Sequence, residues 1–136
     1  MRLIDVYTEP AAPFVLYDLL KERTPEQSIS HKRMPDLDEH CRFFESRPYV
    51  AWYLVEDNGR LVGSAYITKR REVGIFIFKD QHRKGYAKAA LAELRAKHPG
   101  NLLANINPAN AASIALFEGL GFKHIQNTYE LRDAGP

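Results

Sequence analysis

The sequence is poor in cysteine: Cys41 is the only one among 136 residues. One cysteine excludes an intrachain disulfide framework and a zinc cluster built on thiolates, and it suits a reducing, cytoplasmic setting. No uncharged run approaches the ~20 residues that a membrane span needs, and the opening MRLIDVYTEP has no basic-then-apolar signal pattern. Large charge of one sign is absent too. Nineteen Lys and Arg against 17 Asp and Glu leave +2, which gives no reason to expect nucleic acid or an anionic membrane as the partner. Gly and Pro, at 8 each, are too few for a collagen-like or low-complexity chain. The five histidines (31, 40, 82, 98 and 124) form no HExxH pattern, so no metal is expected. A GxSxG elbow is missing, and the neighbours His40-Cys41 lie on one predicted helix, an arrangement that makes no nucleophile–base pair.

What is present is one domain's worth of ordinary globular sequence, with 45% apolar residues, expected to fold as a single domain over 1–136. Its charge is unevenly placed: residues 1–60 carry net −3, residues 61–88 carry +5, and residues 89–136 balance. Periodicity and breakers predict the order β-α-α-β-β-β-α-β-α-β. A strand over Arg2–Tyr7 precedes a helix of roughly Ala12 to Arg23. After a polar loop, Asp36 with Glu39 forms a capping box for a helix over Asp36–Ser46. Tyr49–Glu56 and Arg60–Thr68 read as a hairpin turned by Asn58-Gly59, and Glu72–Phe78 as an apolar central strand. A helix from Gly85 to about His98, a short strand over Leu102–Ile106, a helix capped by Asn110 and a last strand over Phe122–Leu131 complete the pattern. This order implies a mixed sheet flanked by helices.

Two segments carry chemistry. The first, Asp80-Gln81-His82-Arg83-Lys84-Gly85-Tyr86-Ala87-Lys88, joins a strand to a helix. Such a turn presents backbone N–H groups that have no partner inside the helix, and these, with the helix dipole, form an anion site. Gly85 permits close approach, while Arg83, Lys84 and Lys88 add charge. A pyrophosphate suits this better than a Walker-type phosphate loop, whose spacing is absent. Taken alone, an exposed basic helix start reads this segment equally well. The second segment runs from Asn105 to Phe122 and contains Asn110, Ser113, Leu116, Phe117, Gly121 and Phe122.

Together the two segments resemble the GCN5-related N-acetyltransferase (GNAT) superfamily. There a turn of the form Gln/Arg-x-x-Gly-x-Gly/Ala is followed, after a strand, by Asn-x-x-Ala/Ser-x-x-Leu-Tyr/Phe-x-x-x-Gly-Phe. The resemblance covers most of the chain from Tyr49 onward. It implies an α/β (α+β) fold: a mixed, mostly antiparallel sheet of six or seven strands with about four helices, splayed at two central parallel strands. It implies a direct transfer from acetyl-CoA, the expected cosubstrate, to a primary amine on a small molecule or peptide. The implied coenzyme A contacts are Phe76, Ile77 and Phe78 along the strand; His82, Arg83, Lys84, Gly85, Tyr86, Ala87 and Lys88 in the turn; and Asn107, Asn110, Ser113 and Phe117 beyond it. Glu72 matches the position of a catalytic carboxylate; its alternative is a strand-end partner of Arg70 or Arg71.

This sequence departs from the family pattern twice. His82 stands where Gln or Arg is usual, and Phe117 stands where many relatives carry a tyrosine that protonates the leaving thiolate. Phenylalanine cannot donate a proton, which leaves Tyr129, Tyr86 or water as the acid and keeps a catalytically impaired coenzyme A-binding module as the alternative function. The acceptor pocket is expected from the loop 28–34, with His31 and Arg33, together with Asn105 and the strands around Trp52, Tyr53 and Tyr66; His31 and Arg33 read more simply as solvated loop residues. Trp52 and Tyr53 also suit the core. The protein is expected to be a monomer or homodimer, with no nucleic-acid or membrane partner.

Overall fold

The computed structural model describes residues 1–23 and 33–135. Four antiparallel strands, β1 (Arg2–Asp5), β2 (Ala51–Asp57), β3 (Arg60–Ile67) and β4 (Val73–Ile77), lie side by side in sequence order. Helices α1 (Ala12–Lys21) and α2 (Leu37–Glu45) cover one face, and α3 (Tyr86–Lys97) and α4 (Ala111–Gly119) contribute to the core on the other. The expected α+β architecture with four helices is therefore present.

Local chemistry explains where these elements begin and end. Asp36 accepts the Glu39 N–H at 2.8 Å, and Glu39 reaches back to the Asp36 N–H, so the predicted capping box starts α2. Asn58 (φ 51°) and Gly59 (φ 78°) both take the positive φ of a type I′ turn between β2 and β3. Strand β1 ends sooner than expected because Asp5 accepts the Tyr7 N–H at 2.9 Å, which caps a 3-10 turn over Val6–Thr8.

Two cores result, one on each sheet face. Val55, Ala65, Ile67, Val73 and Ile75 pack with Ala90, Leu91 and Leu94 of α3 and with Phe117. On the opposite face Trp52 and Leu54 pack with Val6, Leu16, Leu19 and Phe44.

The expected six or seven strands are not found among the described residues. Leu102–Ile106 touches the sheet through a single parallel bridge, Glu72 to Leu103. Two hydrogen bonds flank it: Val73 N–H donates to Leu103 O at 2.7 Å and Leu103 N–H to Arg71 O at 2.8 Å. Beyond that point the segment joins no ladder. Residues 122–134 run without turn or bend and without a strand partner, and Ile125, Tyr129 and Leu131 are 74%, 88% and 99% exposed. The alternation in this segment is strand-like, but a strand forms only against an edge that takes up its backbone groups.

Candidate functional site

Strand β4 is bonded on both sides only at its beginning. Phe78 N–H donates to Val62 O on the β3 side, whereas Val73 N–H points the other way, to Leu103. Backbone groups alternate sides along a strand, so Gly74 and Phe76 face β3 while Ile75 and Ile77 face outward, into the gap where Leu102–Ile106 has parted from β4. The expectation for Phe76, Ile77 and Phe78 is thus corrected in part. Ile77 presents backbone to the gap, Phe76 and Phe78 do not, and Ile75, which sequence reasoning missed, does. Register carries this signal, and register is a long-range property.

At the far end of β4 the chain makes a 3-10 turn over Lys79–Gln81 and enters α3 through Gly85, whose φ is 81°. Residues prefer to avoid this left-handed region unless they lack a Cβ. No side chain caps the α3 N-terminus, and a Cβ built on Gly85 meets nothing within 4 Å. Unpaired N–H groups therefore open onto free space. Arg83, also left-handed at φ 65°, is exposed on this turn with Lys88.

Other turn residues have structural partners. Lys84 Nζ donates to Gln81 Oε1 at 3.1 Å, and the His82 ring donates from Nε2 to Ile77 O at 2.8 Å, which ties the turn to the strand end. Tyr86 donates its hydroxyl to Asp57 at 2.7 Å, anchoring α3 to the β2–β3 turn and holding the Asp57 carboxyl below its usual range. Ala87 follows in the first turn of α3, half-buried against the core.

Glu72 stands where the parted segments still meet. One carboxylate oxygen accepts the Thr68 hydroxyl at 3.0 Å and the other accepts the Asn105 side-chain amide. Its partners are neutral donors; Arg71 instead donates to the carbonyls of His98, Pro99 and Asn101. Asn105, expected at the acceptor, holds Glu72. Asn107 accepts the Ala109 N–H at 2.9 Å in an Asx turn, and Asn110 caps α4 by accepting the Ser113 N–H at 3.0 Å. Phe117 is buried edge-on against Phe122, their rings 5.1 Å apart. Tyr129 lies in the exposed arm rather than with Glu72.

A cavity of about 240 Å³ opens on the α1–α2 face, against the same strand. Its floor is Ser64, Tyr66 and Phe76; Tyr49, Trp52, Phe43 and the α1 leucines form its walls. Tyr49 stacks on Tyr66, with centroids 4.0 Å apart and rings 11° from parallel. Tyr66 in turn lies on Gly74, where a Cβ would sit 2.2 Å from the ring. Arg33 lines the cavity, its exposed side chain paired with Glu39 at 3.1 Å. Trp52 is both core and wall. Tyr53 points to the opposite face, its hydroxyl 2.8 Å from His98 Nε2. His31 lies outside the described residues. Arg23, which sequence reasoning passed over, stacks on Phe76 with Cζ 3.6 Å from the ring centroid. Among the described residues no cluster of three metal-ligating side chains occurs, and no helix is long and apolar enough to cross a membrane.

Comparison with known proteins adds family and fold. The model of the acetyltransferase (GNAT) family matches residues 15–122. A search of curated proteins returns no match. Among solved structures, a domain from Methanocaldococcus jannaschii DSM 2661 superposes with a TM-score of 0.73 at 23% identity, covering 95% of this chain and 90% of that one. An aminoglycoside N-acetyltransferase in complex with CoA gives 0.71 at 18% identity, covering 98% and 93%. A ribosomal-protein-alanine N-acetyltransferase from Brucella melitensis gives 0.66 at 24%, covering 92% and 85%. At these identities the likeness is one of fold.

Proposed function

Because the chain belongs to the acetyltransferase (GNAT) family, we propose that it transfers the acetyl group of acetyl-CoA directly to a primary amine held in the same complex. The observation that carries this reading is one strand with two openings. At its end is the uncapped α3 turn above Gly85, and along its edge is the gap facing Ile75 and Ile77. These features fit coenzyme A. Amides of the α3 turn, with Arg83, Lys84 and Lys88, suit a pyrophosphate. From Phe78 back to Glu72 is six residues, or ~20 Å of extended backbone, room for a pantetheine arm alongside β4 with Asn107, Asn110 and Ser113 across the gap.

Acetyl-CoA supplies an acyl group activated as a thioester, and the protein's own groups do the rest. The outward N–H groups of β4 are donors for a developing oxyanion. Glu72, with no cationic partner among the described residues, is free to accept the amine's proton directly or through water. The amine reaches the strand from the aromatic cavity on the α1–α2 face. We take the protein to be cytoplasmic, on its single cysteine, and to be a monomer or homodimer.

One observation favours a second reading, a coenzyme A-binding module with impaired catalysis. Phe117 is buried where many relatives carry a proton donor, Tyr86 donates its hydroxyl to Asp57 and Tyr129 is 88% exposed, so on this reading water is the acid. A thiol leaves readily at its ordinary pKa of about 8.5, so the enzyme reading holds without a dedicated acid. The test is release of free thiol from acetyl-CoA across small amines, amino sugars, aminoglycosides and peptide N-termini. Amine-dependent release supports transfer. Tight acetyl-CoA binding with no release on any amine favours the module.

A further inference from the structure

Arg23 follows α1 and reaches into the aromatic cavity, its guanidinium over the Phe76 ring with Cζ 3.6 Å from the centroid. Its polar neighbours include the Tyr66 and Tyr49 hydroxyls, and burial pushes the Tyr49 phenol above its ordinary pKa. Among the described residues Arg23 makes no ion pair. Of the other side chains lining the cavity, Arg33 is paired with Glu39, and the His40 ring donates from Nε2 to Pro13 O at 2.9 Å. Among the described residues Arg23 is thus a half-buried cation with no acidic partner, in a pocket walled by Tyr49, Trp52 and Phe43. Burying a charge without an opposite partner is costly, and a guanidinium fork matches a carboxylate with two parallel hydrogen bonds.

We propose that the acceptor is an amine with an apolar or aromatic body that carries a carboxylate, received by Arg23 on the floor of this cavity. Two features choose the carboxylate. Among its described residues the cavity offers the Arg23 charge without an acidic partner, which a monoanion neutralises, whereas a phosphate monoester carries about −1.5 to −2. The cation also stacks on Phe76 of β4, so an anion held there stays beside the strand along which transfer is proposed and leaves an amine at the other end of the body free to reach it. That last step rests on the acetyltransferase reading; the binding of the anion does not.

Trp52 is the chain's only tryptophan and lines the cavity, so its fluorescence reports occupancy without any turnover. Titration with phenylacetate and with its neutral isostere phenylacetamide should show the carboxylate bound at least tenfold more tightly. Arg23→Gln should remove that preference while leaving acetyl-CoA binding as in the wild type and the protein folded by far-UV circular dichroism; Arg23→Lys should keep part of it. Equal wild-type affinities, or an undiminished preference in Arg23→Gln, overturns the proposal. Tighter binding of benzylphosphonate than of phenylacetate overturns the choice of carboxylate. Thiol release with 4-(aminomethyl)phenylacetate and its amide separates the two readings. Acetylation of both at one rate, indifferent to Arg23, sinks the carboxylate and keeps the enzyme. An Arg23-dependent preference with no acetylation of any amine sinks the enzyme and keeps the anion site.

Discussion

Replacing Gly74 with alanine should disturb the cavity floor through one ring. The new Cβ would lie 2.2 Å from two carbons of the Tyr66 ring and 2.6 Å from its hydroxyl oxygen. Ordinary contact begins near 3.4 Å, so the ring must retreat by about 1.2 Å. It has little room, because Tyr49 is stacked on it at 4.0 Å. Overpacking of this kind costs about 1–3 kcal/mol, partly offset by the ~0.4–1 kcal/mol that Gly→Ala gains from the unfolded chain. The net expectation is a loss of about 1–2 kcal/mol, or ~3–5 °C of melting temperature per kcal/mol at this chain length. Urea unfolding followed by far-UV circular dichroism measures it. In a Tyr66→Ala background the same substitution has nothing to strike and should be neutral or slightly stabilising, giving a coupling energy of about 2 kcal/mol. Equal costs in both backgrounds, within ~0.5 kcal/mol, would refute the reasoning.

Two further outcomes follow from other contacts. Glu72→Gln should lower the transfer rate by roughly 10²–10⁴-fold near neutral pH, with recovery at high pH as the amine deprotonates unaided and with acetyl-CoA affinity unchanged; a pH–rate profile matching the wild type removes Glu72 from the mechanism. His98 accepts the Tyr53 hydroxyl, and burial together with the Arg71 and Lys97 charges lowers its pKa from 6.5. The folded state then binds fewer protons than the unfolded one. This contribution is complete above about pH 6.5 and is lost as the pH falls through the lower folded value. The wild type should therefore lose more stability between pH 7.5 and 5.5 than His98→Gln, as read from urea midpoints; an equal loss contradicts the assignment.

Features encoded by neighbours along the chain are legible in the sequence alone. The Asp36–Glu39 capping box, the Asn58-Gly59 turn and the glycine opening α3 each depend on residues within a turn of one another. Long-range pairing hides the rest. The sequence offers Trp52 and Tyr53 together for the acceptor pocket, yet adjacent strand residues must face opposite ways, and only Trp52 lines it. The backbone groups facing the gap depend on the register of β4 against β3, which the apolar run IFIF cannot reveal. Asn105 sits next to a turn in sequence but beside Glu72 in space. Phe122–Leu131 has the pattern of a strand, and nothing in a pattern says whether an edge is there to meet it. Arg23 escapes notice in the sequence because a basic residue ending a helix is ordinarily solvated; only the stack on Phe76 sets it apart.

The central claim is that the α3 turn and the parted edge of β4 hold coenzyme A. Calorimetric titration of acetyl-CoA into the wild type and Gly85→Glu tests it without knowledge of the acceptor. A Cβ at Gly85 meets no protein atom, so a carboxylate there projects into the space assigned to the pyrophosphate, and any strain from its φ of 81° is checked by the thermal melt. The account predicts one-to-one binding by the wild type and its loss in a folded Gly85→Glu variant. A wild type that does not bind, or a variant that binds as tightly, contradicts it.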